Sequence, residues 1–182
     1  YFLRYVDPKN KKKFANSQKL DYFMPVYMYI GGAEHTVLHL LYSRFFVKAL
    51  KSMGYLDFNE PFMALHHQGI ILGSDGQKMS KSRGNVVDPD DLVKKYGSDT
   101  VKMYLCFMGE YSNGGPWNSK GILGIKRFLD RIWNKFLNFE ISKSESANKN
   151  LEKLSHRTIK KVGEDVENLR FNTAVSALMI LF

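Results

Sequence analysis

Pro25-Val26-Tyr27-Met28-Tyr29-Ile30-Gly31-Gly32 runs straight into Ala33-Glu34-His35-Thr36-Val37-Leu38-His39-Leu40-Leu41-Tyr42. Val26 to Ile30 has the β-branched and aromatic content of a short strand, and the glycine pair ends it. From Ala33 to about Met53, apolar residues return at helical spacing: Val37, Leu38, Leu41, Tyr42, Phe45 and Leu50. Gly54 stands where a helix stop is expected. Strand, Gly-Gly and helix make a βα unit. The glycines therefore fall at the carboxyl end of a strand, the edge where ligands gather in open α/β sheets.

Upstream, residues 7 to 20 are polar and basic. Asp7-Pro8-Lys9-Asn10 reads as a turn before Lys11-Lys12-Lys13. Downstream, His67-Gln68-Gly69-Ile70-Ile71-Leu72 reads as a second strand, and Ser74-Asp75-Gly76 as a tight turn. Asp88-Pro89-Asp90-Asp91 is a strong helix start, with Asp88 as N-cap and Pro89 in first place. That helix should stop near Gly97, and Asp99 to Phe107 should form another. Residues 109–118, rich in turn formers, read as a linker. Beyond them the pattern is helical. Ile122, Ile125, Phe128, Leu129, Ile132, Trp133 and Phe136 form one apolar stripe. After a polar stretch at 140–150, Leu151, Leu154, Ile159, Val162, Val166 and Leu169 recur, and a last segment starts near Asn172. The expected fold class is α/β followed by all-α: a parallel-sheet part, a small mixed module around residue 80, and a helical bundle.

Composition narrows the function. With 182 residues, 44% hydrophobic and 25% charged, the chain is a globular protein and not a disordered tail. Its one cysteine, Cys106, reads as a small core residue and excludes a disulfide scaffold. No apolar run reaches the roughly 20 residues of a membrane span. Lys and Arg number 27 against 18 Asp and Glu, a net charge of +9, which points to a polyanion partner. The chain opens on Tyr1-Phe2-Leu3 and closes on Leu178-Met179-Ile180-Leu181-Phe182. Natural termini are usually polar, so this is expected to be a piece of a longer protein.

Lys78-Met79-Ser80-Lys81-Ser82 is the sharpest chemical feature. It places two ammonium groups on one loop after a Gly-rich hairpin, suited to the charge that develops on a displaced pyrophosphate. Ser80 and Ser82 are expected to bond to backbone and hold the loop's shape. Gly84 gives the loop room to move. At the first glycine edge, Gly31 and Gly32 let a ligand approach the backbone. Glu34 can accept bonds from ribose hydroxyls. His35 and His39, four apart, would share a helix face. They read poorly as zinc ligands, because Thr36 stands where a zincin needs Glu and no cysteine is near. No metal site is read. His39 also suits a satisfied core histidine beside Leu38 and Tyr42. Gly69 would let backbone groups near Gln68 and Ile70 reach a flat ring, while His66 and His67 point to opposite strand faces. Lys120, Arg127 and Arg131 are spaced to share a face opposite the apolar stripe and could track phosphates. An ordinary solvated face fits them equally.

Taken together, these residues resemble the class I aminoacyl-tRNA synthetases, whose second signature is the pentapeptide Lys78 to Ser82. Tyr29 to Phe46, YIGGAEHTVLHLLYSRFF, is similar to the leucyl members, as are His67 to Phe107 and Gly124 to Phe136. Relatives for isoleucine, valine and methionine carry Asp in place of Glu34. The resemblance implies a Rossmann-like catalytic part over residues 1–75, the second half of that domain. It implies a stem-contact module with the signature loop at 76–117, and the start of an anticodon-binding-type helical bundle at 118–182. It implies that Lys81 and Lys78 bind ATP phosphates. Gly31, Gly32, Glu34, His35 and His39 would line the adenylate pocket, and Gln68, Gly69 and Ile70 would border adenine. ATP with Mg²⁺, leucine and tRNA(Leu) are the implied cofactors and partners, in the cytoplasm and with no membrane. The family's first signature motif and its editing domain are not in these residues and would belong to the rest of the parent chain. The short passage from Leu72 to the loop looks like the shorter bacterial type. A nucleic-acid-binding module without catalysis, and a synthetase for another aliphatic amino acid, stay open at this point.

Overall fold

A computed structural model describes residues 1–139 and 148–182. The polar stretch expected at 140–150 lies largely outside the described residues. The chain divides into two compact units, Tyr1–Gln68 and Gly69–Phe182.

The first unit is a βαβ unit. Strand β1 (Val26–Gly31) pairs in parallel with β2 (Phe62–His67), in a register from Val26 opposite Phe62 to Gly31 opposite His67. Parallel neighbours need a crossover, and the helical segment supplies it. That segment follows α1 (Ser17–Phe23), whose N-cap Asn16 accepts from the Lys19 N–H. It has three parts: a 3₁₀ turn at Ala33–His35, a π turn at Thr36–Leu40, and α2 (Leu41–Ser52). Gly54 does stop α2, with φ +78° and its N–H on the Lys51 carbonyl. Leu3, Ala15, Leu20, Met24, Val47 and Leu56 form the core.

The basic stretch 7–20 is more ordered than its composition suggests. Asp7 is buried and accepts from Lys19 Nζ at 2.7 Å, Asn10 Nδ2 at 2.9 Å and the Asn16 N–H at 3.1 Å. These donors, Lys19 first, hold its carboxyl below the ordinary range. Arg4 donates to the carbonyls of Lys13, Phe14, Pro8 and Asn10, tying the loop together.

The strand expected at 67–72 is instead two strands, one in each unit. β2 ends at His67, and β3 (Ile70–Leu72) pairs in parallel with β4 (Gly114–Pro116). Gly69 explains the break. A Cβ there would lie 1.9 Å from Gly114 N and 2.3 Å from Asn113 C, so only glycine admits this backbone approach. Residues 109–118 are therefore no linker. Gly114–Pro116 is a strand, and Trp117 is buried edge-on against Tyr104 at 5.1 Å between ring centroids.

Between β3 and β4 lie α3 (Pro89–Tyr96) and α4 (Ser98–Phe107). Asp88 caps α3 by accepting from the Asp90 N–H. Then follow α5 (Gly121–Leu137), α6 (Lys149–Glu167) and α7 (Phe171–Leu181). One core, built on Val101, Tyr104, Trp117, Ile122, Ile125 and Val175, joins α4, α5 and α7 with the residue that follows β4. Ile122 and Ile125 are wholly buried, each worth about 1.5–3 kcal/mol. Trp133 and Phe136, expected in the apolar stripe, are 65% and 78% exposed, because the described packing on α5 ends before them. Cys106, expected in the core, is also exposed. Its position on α4 faces away from Val101 and Tyr104, which are buried.

Candidate active site

In the first unit the glycine edge is tightly packed. Gly31 O accepts from the Gln68 N–H and from His67 Nδ1–H, each at 3.2 Å. A Cβ on Gly31 would meet the Tyr29 ring at 2.7 Å. One on Gly32 would meet the Glu34 carboxylate at 2.2 Å. Glu34 thus folds its carboxylate over Gly32, at the first turn after the strand.

His35 and His39 do not share one environment. His35 is exposed, while His39 is half-buried on the π turn. The rings of Tyr1, Phe2, Tyr29 and Phe62 lie 5.6, 6.2, 5.5 and 5.9 Å from the His39 ring. The Tyr1 hydroxyl pairs with His39 Nδ1. Burial among these rings, and His35 after it, lower the His39 pKa and favour the neutral imidazole. Among the described residues no cluster of three or more His, Cys, Asp or Glu could hold a metal ion.

Of the three residues expected to border adenine, Gln68 donates its N–H to Gly31 O and Gly69 donates its own to Tyr111 O at 2.8 Å. Both N–H groups are already engaged in the fold. Ile70 stands in the β3–β4 ladder.

In the second unit the lysine loop grows from a short hairpin. Leu72 and Lys78 form an antiparallel bridge, Gly73 N–H donates to Gln77 O at 2.8 Å, and Gly76 turns with φ +72°. After Ser80, Lys81–Arg83 make one 3₁₀ turn, closed by Gly84 at φ +67°. Lys78 and Lys81 are both exposed, and neither has an acidic partner among the described residues. Met79, between them, packs on the core of this unit. Ser80 and Ser82 join their hydroxyls to each other at 2.8 Å, and not to backbone as expected.

The backbone is held instead by a pair that the sequence analysis does not single out. Asn85 Oδ1 accepts from the Ser80 N–H at 2.8 Å. Its Nδ2 donates to the two Asp75 carboxylate oxygens at 3.2 and 3.1 Å and to Lys78 O at 3.4 Å. Asp75 also accepts from the Gln77 N–H at 3.0 Å. The Gln77 N–H first and the Asn85 amide second keep the Asp75 carboxyl below the ordinary range. A local signal does exist: Asp in a Ser-Asp-Gly turn, where its side chain caps the backbone two residues on, and Asn directly after Gly84.

Among the basic residues, Lys120 precedes α5, while Arg127 and Arg131 lie exposed on it. The Arg131 guanidinium rests 5.8 Å from the Phe128 ring centroid and 5.4 Å from that of Phe182. Arg127 and Arg131 line an open cleft with Asp130, Asn134 and Lys135.

A family model described as tRNA synthetases class I (I, L, M and V) matches residues 8–115, which hold both the glycine edge and the lysine loop. The chain belongs to this family. It is 50% identical over 184 residues to the leucine--tRNA ligase of Bdellovibrio bacteriovorus and 52% identical over 183 residues to that of Dehalococcoides mccartyi. All of this chain aligns in both, but only 23% and 22% of those relatives, so it spans roughly a quarter of their length. Among solved structures it matches the Agrobacterium radiobacter K84 agnB2 LeuRS-tRNA-LeuAMS ternary complex, with TM-score 0.86 and 36% identity over the whole chain and 25% of that chain. Mycobacterium tuberculosis methionyl-tRNA synthetase bound by methionyl-adenylate shares the fold, with TM-score 0.64 and 19% identity over 91% of this chain and 34% of that one. The expected α/β-to-α class, with parallel pairing, agrees with these neighbours. Among the described residues no helix is long and apolar enough to cross a membrane.

Proposed function

We propose that the protein to which this chain belongs joins leucine to tRNA(Leu) in two steps, in the cytoplasm. The leucine carboxylate attacks the α-phosphorus of ATP in line, forming leucyl-adenylate as the bond to the departing pyrophosphate breaks. A hydroxyl of the terminal tRNA ribose then attacks the leucyl carbonyl and gives up its proton to solvent, and AMP leaves with the bonding electron pair. Mg²⁺ enters with ATP. The observation that carries this reading is the lysine loop: Lys78 and Lys81 stand exposed on a tied backbone, without acidic partners among the described residues. Charge gathering on the departing pyrophosphate is met by two cations carried on that tied backbone instead of by reorganising water.

In this reading Gly31, Gly32, Glu34 and His35 line the adenylate pocket. His39, held among rings on the π turn, lines the same pocket. Gln68, Gly69 and Ile70 border adenine through what their N–H bonding leaves free. Ser80 and Ser82 brace the 3₁₀ turn. Lys120, Arg127 and Arg131 follow the tRNA backbone. Residues 1–75 act as the catalytic part, 76–117 as the stem-contact module and 118–182 as the start of the tRNA-holding bundle. The first signature motif and the editing domain come from the rest of the parent chain. Leucine as the amino acid is supported by the identity to the two leucine--tRNA ligases over the whole chain.

The test is ATP–pyrophosphate exchange by the full-length enzyme. Lys81→Ala should slow exchange by about 10²-fold or more, the cost of losing one transition-state donor, with the leucine KM within about threefold. Unchanged exchange removes the role. A nucleic-acid-binding module without catalysis is the second reading, favoured only by the exposed basic face of α5. A shift of tRNA mobility without any exchange by the full-length protein would select it.

A further inference from the structure

We infer that Asn85 and Asp75 are positioning residues for the two lysines, forming a clasp that sets the geometry of the loop and keeps its charge available. The inference rests on the reading of Lys78 and Lys81 as the groups that meet the ATP phosphates.

Three observations carry it. First, Asn85 reaches the backbone on both sides of Met79: it accepts from the Ser80 N–H and donates to Lys78 O. Met79 itself is seated on the core. The segment from Lys78 to Ser80 is therefore held at its backbone by one side chain and at its centre by another. The lysine side chains are left as the parts free to engage a ligand.

Second, a loop with two lysines also contains an acid, Asp75. In an unorganised loop that carboxylate would pair with a lysine and cancel one of the charges the chemistry needs. Here it accepts instead from the Gln77 N–H and from the Asn85 amide. Its hydrogen bonds come from neutral donors, with Arg83 as a lesser charged neighbour, and neither lysine forms an ion pair among the described residues. An Asn at 85 does both tasks because its amide offers an acceptor to Ser80 and donors to Asp75 and Lys78 O at once.

Third, Gly73 leaves room for the clasp. It is buried, and a Cβ there would lie 2.6 Å from Asp75 Oδ1 and 2.9 Å from Asn85 Nδ2. Any side chain at 73 would displace one partner.

The experiment measures pyrophosphate exchange and thermal melting of the full-length enzyme with Asn85→Asp, Asn85→Ala, the exchanged pair Asp75→Asn with Asn85→Asp, and Lys81→Ala as reference. Asn85→Asp sets two carboxylates against each other and should lower kcat by about tenfold or more, with the leucine KM within about threefold. Asn85→Ala should lower kcat in the same direction. In the exchanged pair, the carboxylate introduced at position 85 would accept from the Ser80 N–H and from the amide introduced at position 75, whose oxygen accepts from Gln77, while Lys78 O loses its donor. That variant should recover part of the kcat lost in Asn85→Asp without reaching wild type, because the bond to Lys78 O is not restored. A merely structural role would lower the melting temperature without the kcat–KM split and without recovery in the exchanged pair, and would overturn the inference. Wild-type exchange by both Asn85 variants, with Lys81→Ala impaired, overturns the clasp but leaves the lysine role standing. Wild-type exchange by Lys81→Ala removes the reading on which the clasp rests, and the clasp with it.

Discussion

Arg170 meets buried Asp165 twice across the turn between α6 and α7: its backbone N–H donates to Asp165 O at 2.7 Å, and its Nε lies 3.1 Å from Oδ1. Lys161 Nζ and Thr173 Oγ1 reach Oδ2 at 2.8 and 2.7 Å. Leu169, inside this turn, takes φ +56°, a conformation that residues other than glycine adopt only when their surroundings support it. The donors, Lys161 first, hold the Asp165 carboxyl below the ordinary range.

Asp165→Ala is therefore expected to lower the melting temperature clearly more than Glu164→Ala, whose carboxylate makes only an exposed 3.8 Å pair with Lys160. The folded pKa is depressed, so this stabilisation is present above the unfolded carboxyl pKa and fades as pH falls through the folded one. Melting curves of both variants at neutral and acid pH check the expectation. Equal effects would contradict the role given to Asp165.

Glu60 accepts from Arg44 at 2.8 and 2.9 Å and pairs with Lys48 at 2.8 Å, which drops its pKa to about 2, Arg44 being the larger cause. Its contribution should be complete above the ordinary glutamate pKa of about 4.3 and disappear as pH falls to about 2. The side chain is 41% exposed, so screening keeps the effect to about 1 kcal/mol or less. Acid unfolding of Glu60→Gln should converge with wild type at the low end of that window. A difference that grows on acidification would refute the assignment.

Gly69→Ala drives a Cβ into the backbone of Asn113 and Gly114, where no side chain can swing aside. Loss of about 1–3 kcal/mol or more is expected, with β3 and β4 losing protection in hydrogen exchange before α5 does. A wild-type melting temperature would show that the strands can separate without cost.

Arg127→Ala and Arg131→Ala in the full-length enzyme should each weaken tRNA binding and reduce the salt slope of log K by about 1. Exchange of pyrophosphate should stay unchanged, since neither arginine has a part in the proposed adenylate chemistry. An unaltered slope would return both arginines to the ordinary solvated surface.

Much of this protein is written locally. The βα unit at 25–53, the Asp88 cap, the Gly54 and Gly97 stops and the two-lysine loop follow from patterns within a few residues of one another. Side-chain spacing and backbone permissiveness act over that range, and the family signature is itself local. Other features needed the assembled chain. The strand at 62–67 has Met, Ala and Leu where β-branched residues would mark it, so only pairing with Val26–Gly31 reveals it. Gly114–Pro116 can pair as a strand because Gly69 and Gly114 both let the two backbones come close. His39 owes its lowered pKa to burial among the rings of Tyr1, Tyr29 and Phe62, residues brought from three segments. Asn85 and Asp75 are ten apart; each carries a local turn signal, but only the folded loop shows that they meet. Sequence alone settled which chemical groups are present and in what order; tertiary structure decided which carboxylates meet neutral donors and which cations stay unpaired, because desolvation and hydrogen bonding depend on neighbours in space.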